Sequence, residues 1–240
     1  MKKLPLLIAG LLALALPVST AATSRITVFA ASSLTEVLPR IDPAPRFSFA
    51  GSDSLAFQIR NGAPADVFAA ASPEEPSDLL RRGLVLRPRV FATNRLALLV
   101  PSSNPARIRS VFDLRRGGIK LVLAEPRVPI GAYTRKVLRK LGLLASALRN
   151  VVSQEADAKD VVAKVALGEA DAGFAYVTDA RAAAGEVRLV RIPGRAQPTV
   201  RYEVAIVKAS RNQAGARAFV RRVLSKTGRR ELARAGFGLP

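Results

Sequence analysis

Short apolar runs alternate along the chain with amphipathic stretches of helical period, from Ile26 to the C-terminal residues. That alternation predicts an α/β fold in which parallel strands are joined by helices. Strands are expected at Ile26–Phe29, Phe47–Ala50, Val67–Ala70, Leu96–Val100, Lys120–Ala124, Ala172–Tyr176, Val187–Arg191 and Val204–Val207. Helices are expected from about Leu34, then over Leu55–Asn61, Pro73–Arg82, Ile130–Leu141, Lys159–Leu167, Gln213–Leu224 and Thr227–Ala235. Pro73 in a first turn and Gly83 just past the last are the residues that helix ends prefer. The character of the chain shifts near Arg95, and the Pro- and Gly-bearing loop Pro193–Pro198 suits a linker. These breaks divide the chain into residues 23–95 of a first lobe, residues 96–200 of a second, and a return segment 201–240 that rejoins the first.

The first residues carry a different signal. Met1-Lys2-Lys3 precedes an uncharged apolar run from Leu4 to Val18, followed by Ser19, Thr20, Ala21 and Ala22. The apolar run is shorter than the ~20 residues a bilayer span requires, and the small residues after it suit cleavage, so residues 1–22 are expected to be an export signal. The chain has no cysteine, which removes disulfides, thiolate metal sites and a lipidated N-terminal cysteine. It has no histidine either, which removes His-dependent triads and the usual zinc sites. With no metal-spaced acid cluster as well, an enzyme is not expected, an activity on a phosphorylated small molecule being the reading set aside.

The net charge of +20 raises the question of nucleic acid or an anionic surface, with Arg135, Lys136, Arg139 and Lys140 forming a basic helix face. Yet the cations recur along nearly every segment, and aromatic residues for stacking on bases make up only 5% of the chain. The charge therefore reads as a solvated surface that attracts anions at long range, and no nucleic-acid partner is expected.

In open α/β sheets ligands bind beyond the carboxyl ends of strands, where first-turn N–H groups and helix dipoles point outward. Five such junctions carry candidate residues. Ala31-Ser32-Ser33 leaves the first strand; taken alone, Ser33 with Glu36 reads as a helix capping box. Gly51-Ser52-Asp53 leaves the second, with Ser52 or Asp53 able to cap and Gly51 permitting a close backbone approach to a ligand. Asp53 would repel an anion if it faced one. Val128-Pro129-Ile130-Gly131 and Ala156-Asp157-Ala158-Lys159 offer backbone N–H groups and no side-chain chemistry. Tyr176 ends a strand, a position where tyrosine is more often core or rim than ligand.

Three segments together resemble the periplasmic molybdate-binding proteins: Ile26-Thr27-Val28-Phe29-Ala30-Ala31-Ser32-Ser33-Leu34-Thr35, Asn61-Gly62-Ala63-Pro64-Ala65-Asp66-Val67-Phe68, and Gly168 through Ala180. The resemblance runs in order from about Ile26 to Phe237. It implies a type II periplasmic-binding-protein fold, two α/β lobes with a ligand cleft between them, holding the dianion through neutral donors. It implies hydroxyl donors at Ser33, Ser52 and Tyr176, and backbone donors at Ile130 and Ala158. Ile130 stands where the family often has alanine, and Ala158 where it has valine. Gly51 and Asp53 also depart from the expected surroundings, which bears on the anion preference.

The resemblance further implies a ligand of molybdate or tungstate with no cofactor, molybdenum being held only as its oxyanion without direct protein ligands. Its partner would be the membrane permease of an ABC transporter, and the protein a periplasmic or otherwise extracytoplasmic monomer. Sulfate and phosphate are the alternative ligands, phosphate being disfavoured where the pocket lacks an acceptor for its proton.

Overall fold

The computed structural model describes residues 25–240, and the expected leader over 1–22 lies outside the described residues. Ten strands form two mixed five-stranded sheets. The first contains β1 (Thr27–Ala31), β2 (Arg46–Ala50), β3 (Val67–Ala70), β4 (Arg89–Asn94) and β10 (Val200–Ile206), in the order β2-β1-β3-β10-β4. The second contains β5 (Leu96–Pro101), β6 (Leu121–Ala124), β7 (Val151–Glu155), β8 (Ala172–Tyr176) and β9 (Val187–Arg191), in the order β7-β6-β8-β5-β9.

The two sheets repeat one plan. Three parallel strands lie at one side of each, and the fourth position is taken by an antiparallel strand that has just crossed from the other lobe: β5 follows β4, and β10 follows β9. The side chain of Gln197 ties the two crossovers together. Its Oε1 accepts from the Leu96 backbone N–H at 3.0 Å and its Nε2 donates to the Leu96 carbonyl at 2.8 Å.

Strands β3, β5, β6 and β8 are buried along their whole length, which is why they read as unbroken apolar runs rather than as alternations. On the first sheet the pleat still divides the residues. Phe29 and Phe68 pack on α2 (Ser52–Arg60) and α3 (Glu74–Arg81) through Leu55, Ile59 and Leu79, while Val28 and Val67 join the larger core on the other face.

The expected helix from Leu34 is broken. A 3-10 turn at Ser32–Leu34 precedes a separate short helix, α1 (Leu38–Ile41). Pro39 is the cause: lacking an N–H, it cannot bond the carbonyl of Thr35 and so cannot sit inside a continuous helix. Several elements not expected from the pattern are present as well, among them a short helix at Val177–Ala182 and three others. Those three are β4, β7 and the helix α5 (Leu144–Arg149), and both strands lie at sheet edges with mixed burial.

Helix α4 (Pro129–Lys140) begins hard against the end of β6. A Cβ at Gly131 would lie 2.0 Å from the Glu125 carbonyl oxygen and 2.6 Å from that of Ala124, so only glycine allows this close approach. Gly131→Ala is expected to destabilise the protein by about 2 kcal/mol, a fall in melting temperature of roughly 4–8 °C by calorimetry.

Candidate functional site

Six strand ends meet between the lobes. From the first sheet come the residues after β1, β2 and β3, and from the second those after β6, β7 and at the end of β8; together they line a small cavity of about 10 Å³. Ser33, Ser52, Ile130, Ala158 and Tyr176 all line it, so the structure brings all five expected residues to one place.

Each donor reaches the cavity for a local reason. Ile130 and Ala158 lie in the first turns of α4 and α6 (Ala158–Ala166), where no preceding helical carbonyl reaches the backbone N–H. Asp157 caps α6 by accepting from the N–H groups of Lys159 and Asp160 at 2.7 and 3.1 Å, one residue beyond Ala158. Asp157 is also the only charged residue among the described ones that line the cavity, and both of those bonds fall on its Oδ1. Ser52 opens α2 and accepts at Oγ from the Ala71 N–H at 3.1 Å, which leaves its own proton for the cavity.

Ser33 makes no capping bond. Its Oγ lies 2.9 Å from the hydroxyl of Tyr202, a buried residue of β10. Asn94, at the end of β4, donates from Nδ2 to Tyr202 Oη at 3.3 Å and to Thr178 Oγ1 at 2.9 Å. Neither Asn94 nor Tyr202 stands at a strand-to-helix junction, and Tyr202 lies between Arg201 and Glu203, where no local signal marks it.

Tyr176 is a ligand candidate for a different reason than position alone. Its ring is fixed edge-on against Tyr202, at 5.8 Å between centroids, and its hydroxyl is buried with no hydrogen-bond partner in the protein. Burial holds that hydroxyl protonated far above its ordinary titration range. A buried donor left unmade costs about 1–3 kcal/mol, so the group calls for an acceptor from outside the chain.

Asp53 does not line the cavity. It turns to the opposite lobe, where its Oδ2 pairs with Arg127 Nε at 3.2 Å; burial nevertheless raises its pKa, against the pull of the Ser54 amide and Arg127. Gly51 does permit a close approach, and its nearest obstacle is the other lobe. An added Cβ would lie 2.6 Å from the carbonyl oxygen of Ala156. Around the cleft the first lobe supplies acids and the second supplies cations: Glu36 pairs with Lys159 at 2.8 Å, Asp53 with Arg127, and Glu74 with Lys136 at 3.9 Å.

A larger cavity of about 510 Å³ opens on the other side of Ser33, with Arg40, Lys159 and Arg181 on its walls. Arg40 and Arg181 are solvent-exposed, so they act on anions at long range and under salt screening rather than by desolvating them.

The result is a set of neutral donors from two lobes around a cavity that no cation lines, an arrangement that suits a binding protein for a small anion. The chain belongs to the family of bacterial extracellular solute-binding proteins, whose model matches residues 26–238. It is 39% identical over 225 residues to the molybdate-binding protein ModA of Mycobacterium tuberculosis strain H37Rv, covering 90% of this chain and 85% of that one. It is 32% identical over 256 residues to ModA of Haemophilus influenzae, covering 99% of both. The periplasmic molybdate-binding protein of Azotobacter vinelandii shares the fold, with a TM-score of 0.77 at 23% identity over 90% of this chain and 100% of that structure.

Asp179 sits directly behind the site, in the first turn of α7 (Val177–Ala182), where its Oδ2 accepts from the Tyr176 N–H at 3.0 Å. Burial pushes its carboxyl up to about 7. It therefore binds its proton more tightly folded than unfolded, and the cost of burying its charge is absent below about pH 4, grows as pH rises, and is constant above about 7. Asp179→Asn keeps an acceptor for Tyr176 without the charge. In thermal melts this variant is expected to exceed the parent most above pH 7, with the gain shrinking as pH falls from about 7 towards 4.

Proposed function

We propose that this protein captures molybdate, and tungstate with it, in the cavity between its lobes and delivers the anion to the membrane permease of an ABC transporter. The observation that carries the reading is the unpartnered hydroxyl of Tyr176, buried at the meeting point of Ser33, Ser52, Ile130 and Ala158. A tetrahedral dianion offers acceptors in several directions at once, and these donors come from both lobes. The similarity to two molybdate-binding relatives over most of the chain supports the choice of ligand.

The mechanism follows from the division of the donors. Ser33 and Ser52 belong to the first lobe, and Ile130, Ala158 and Tyr176 to the second. Only the closed arrangement lets all of them reach one anion, so the ligand favours closure by its contacts there. Each charge-assisted hydrogen bond contributes about 1.5–3 kcal/mol, so five suffice for micromolar affinity after the cost of closing. The permease then meets a monomeric, closed protein outside the cytoplasm. The absence of a cation from the lining leaves the anion's charge unneutralised, so its release requires opening and not the breaking of an ion pair.

Thermal melts against molybdate, tungstate, sulfate, phosphate and chloride test the reading. Molybdate and tungstate at a thousand times their dissociation constants are expected to add about 4 kcal/mol, a shift of roughly 8–16 °C. A shift with sulfate or phosphate alone would change the ligand, and no shift with any oxyanion would remove the function. Tyr176→Phe and Ser52→Ala are each expected to weaken molybdate binding by about 1–3 kcal/mol in calorimetric titrations. Gly51→Ala should weaken it at least as much while lowering the unliganded melt less, because its backbone clash is with the opposite lobe and its clash within the first lobe, at 2.7 Å, is with the side-chain end of Asp53.

A further inference from the structure

Among the described residues three ion pairs join the lobes, and all three have the acid on the first lobe and the cation on the second. Two of them adjoin the candidate donors. Glu36, three residues after Ser33, pairs with Lys159, the residue after Ala158, at 2.8 Å. Asp53, the residue after Ser52, pairs with Arg127, three residues before Ile130, at 3.2 Å. Each pair thus fastens together two donors, one from each lobe, that have to meet around a single anion. None of these four charged residues lines the cavity itself.

By charge alone the two acids are misplaced, since a carboxylate close to a site for a dianion repels it. Pairing changes that balance. At these distances the acid and the cation largely cancel each other's field at the anion, and the pairs exist only while the lobes are together. Lys159 holds the Glu36 carboxyl below its ordinary titration range, by its hydrogen bond first and by its charge second. The Asp53 side chain is only 16% exposed, so its pair is less screened than a surface one. Arg127 is steadied in turn by Glu125 of its own lobe, at 2.9 Å.

We propose that Glu36 and Asp53 are positioning residues that promote anion capture despite their charge: with Lys159 and Arg127 they form two latches, one beside each serine, that hold the lobes together and slow release of the anion. The inference rests on the molybdate-capture reading. The third pair, Glu74 with Lys136, is 3.9 Å apart, has both side chains more than half exposed and adjoins none of the five donors, so it adds little.

The sign of one substitution separates a latch from plain attraction. Glu36→Lys takes a negative charge away from the neighbourhood of the site and adds a positive one, so long-range electrostatics predicts release that is no faster. The latch predicts faster release, because the new side chain meets Lys159 as a like charge. Release of radiolabelled molybdate into excess unlabelled anion at low ionic strength is expected to be about fivefold faster from Glu36→Lys than from the parent, and about threefold faster from Asp53→Asn. Glu74→Gln should change it by less than about twofold. Lys159→Glu alone should also speed release. Combined with Glu36→Lys it restores the pair with its polarity reversed, and should return the rate to within about twofold of the parent, a rescue that a merely structural lesion does not give. High salt should close the gap between Glu36→Lys and the parent. Release that is unchanged or slower in Glu36→Lys, or a double variant that releases no more slowly than the faster of its single variants, would overturn the latch while leaving molybdate capture intact. A parent that retains no molybdate would overturn the functional reading itself.

Discussion

A buried hydroxyl with nothing to bond is the constraint around which this structure is organised. Tyr176 Oη is held by a packed ring and lies where no group of the chain accepts from it. In a protein interior such a group is a standing cost that an acceptor from outside removes. The same logic governs the rest of the cavity, where hydroxyl and amide donors converge without a cation. A dianion placed there has its charge spread over many polarised bonds, each too weak to hold it alone. Under the proposed reading binding depends on closure, because neither lobe alone carries all five donors.

The supporting structure serves that convergence. Parallel strands bring three carboxyl ends to the cleft from each sheet, and helices α2, α4 and α6 begin there with their dipoles pointed inward. Gly131 lets α4 start against β6, and Gly51 lets the lobes touch at the Ala156 carbonyl. The cations of the ion pairs across the cleft are exposed, and the pairs are individually weak. Their value is in arrangement: with acids on one lobe and cations on the other, the lobes attract over a range that hydrogen bonds do not reach.

Much of this was legible in the sequence. The inner strands β3, β5, β6 and β8 are apolar runs because both of their faces are covered, and those runs are visible in the sequence. Two of the four edge strands were not, since Arg89–Asn94 and Val151–Glu155 mix polar and apolar residues and carry no clean period. The broken helix after Ser33 could have been read from Pro39. Five cavity residues were placed by resemblance and by their position at strand ends, because the chemistry of a junction is local. Asn94 and Tyr202 escaped notice for the opposite reason. Ser33 and Tyr202 are 169 residues apart, and Tyr202 and Asn94 are 108 apart, so nothing near either residue announces its partner.

The interleaving of the two sheets has a consequence for how the protein comes into being. Strand β10 fills the position between β3 and β4, and it begins only at Val200. Until that late segment is available, β4 has no neighbour and the first sheet is limited to three parallel strands with a raw edge at β3. The second sheet has all of its strands by Arg191. Assembly thus runs against the order of synthesis, the lobe begun first being finished last through pairings of long sequence separation that form slowly. That delay leaves the first lobe without its antiparallel pair, β10 and β4, until nearly the whole chain is available.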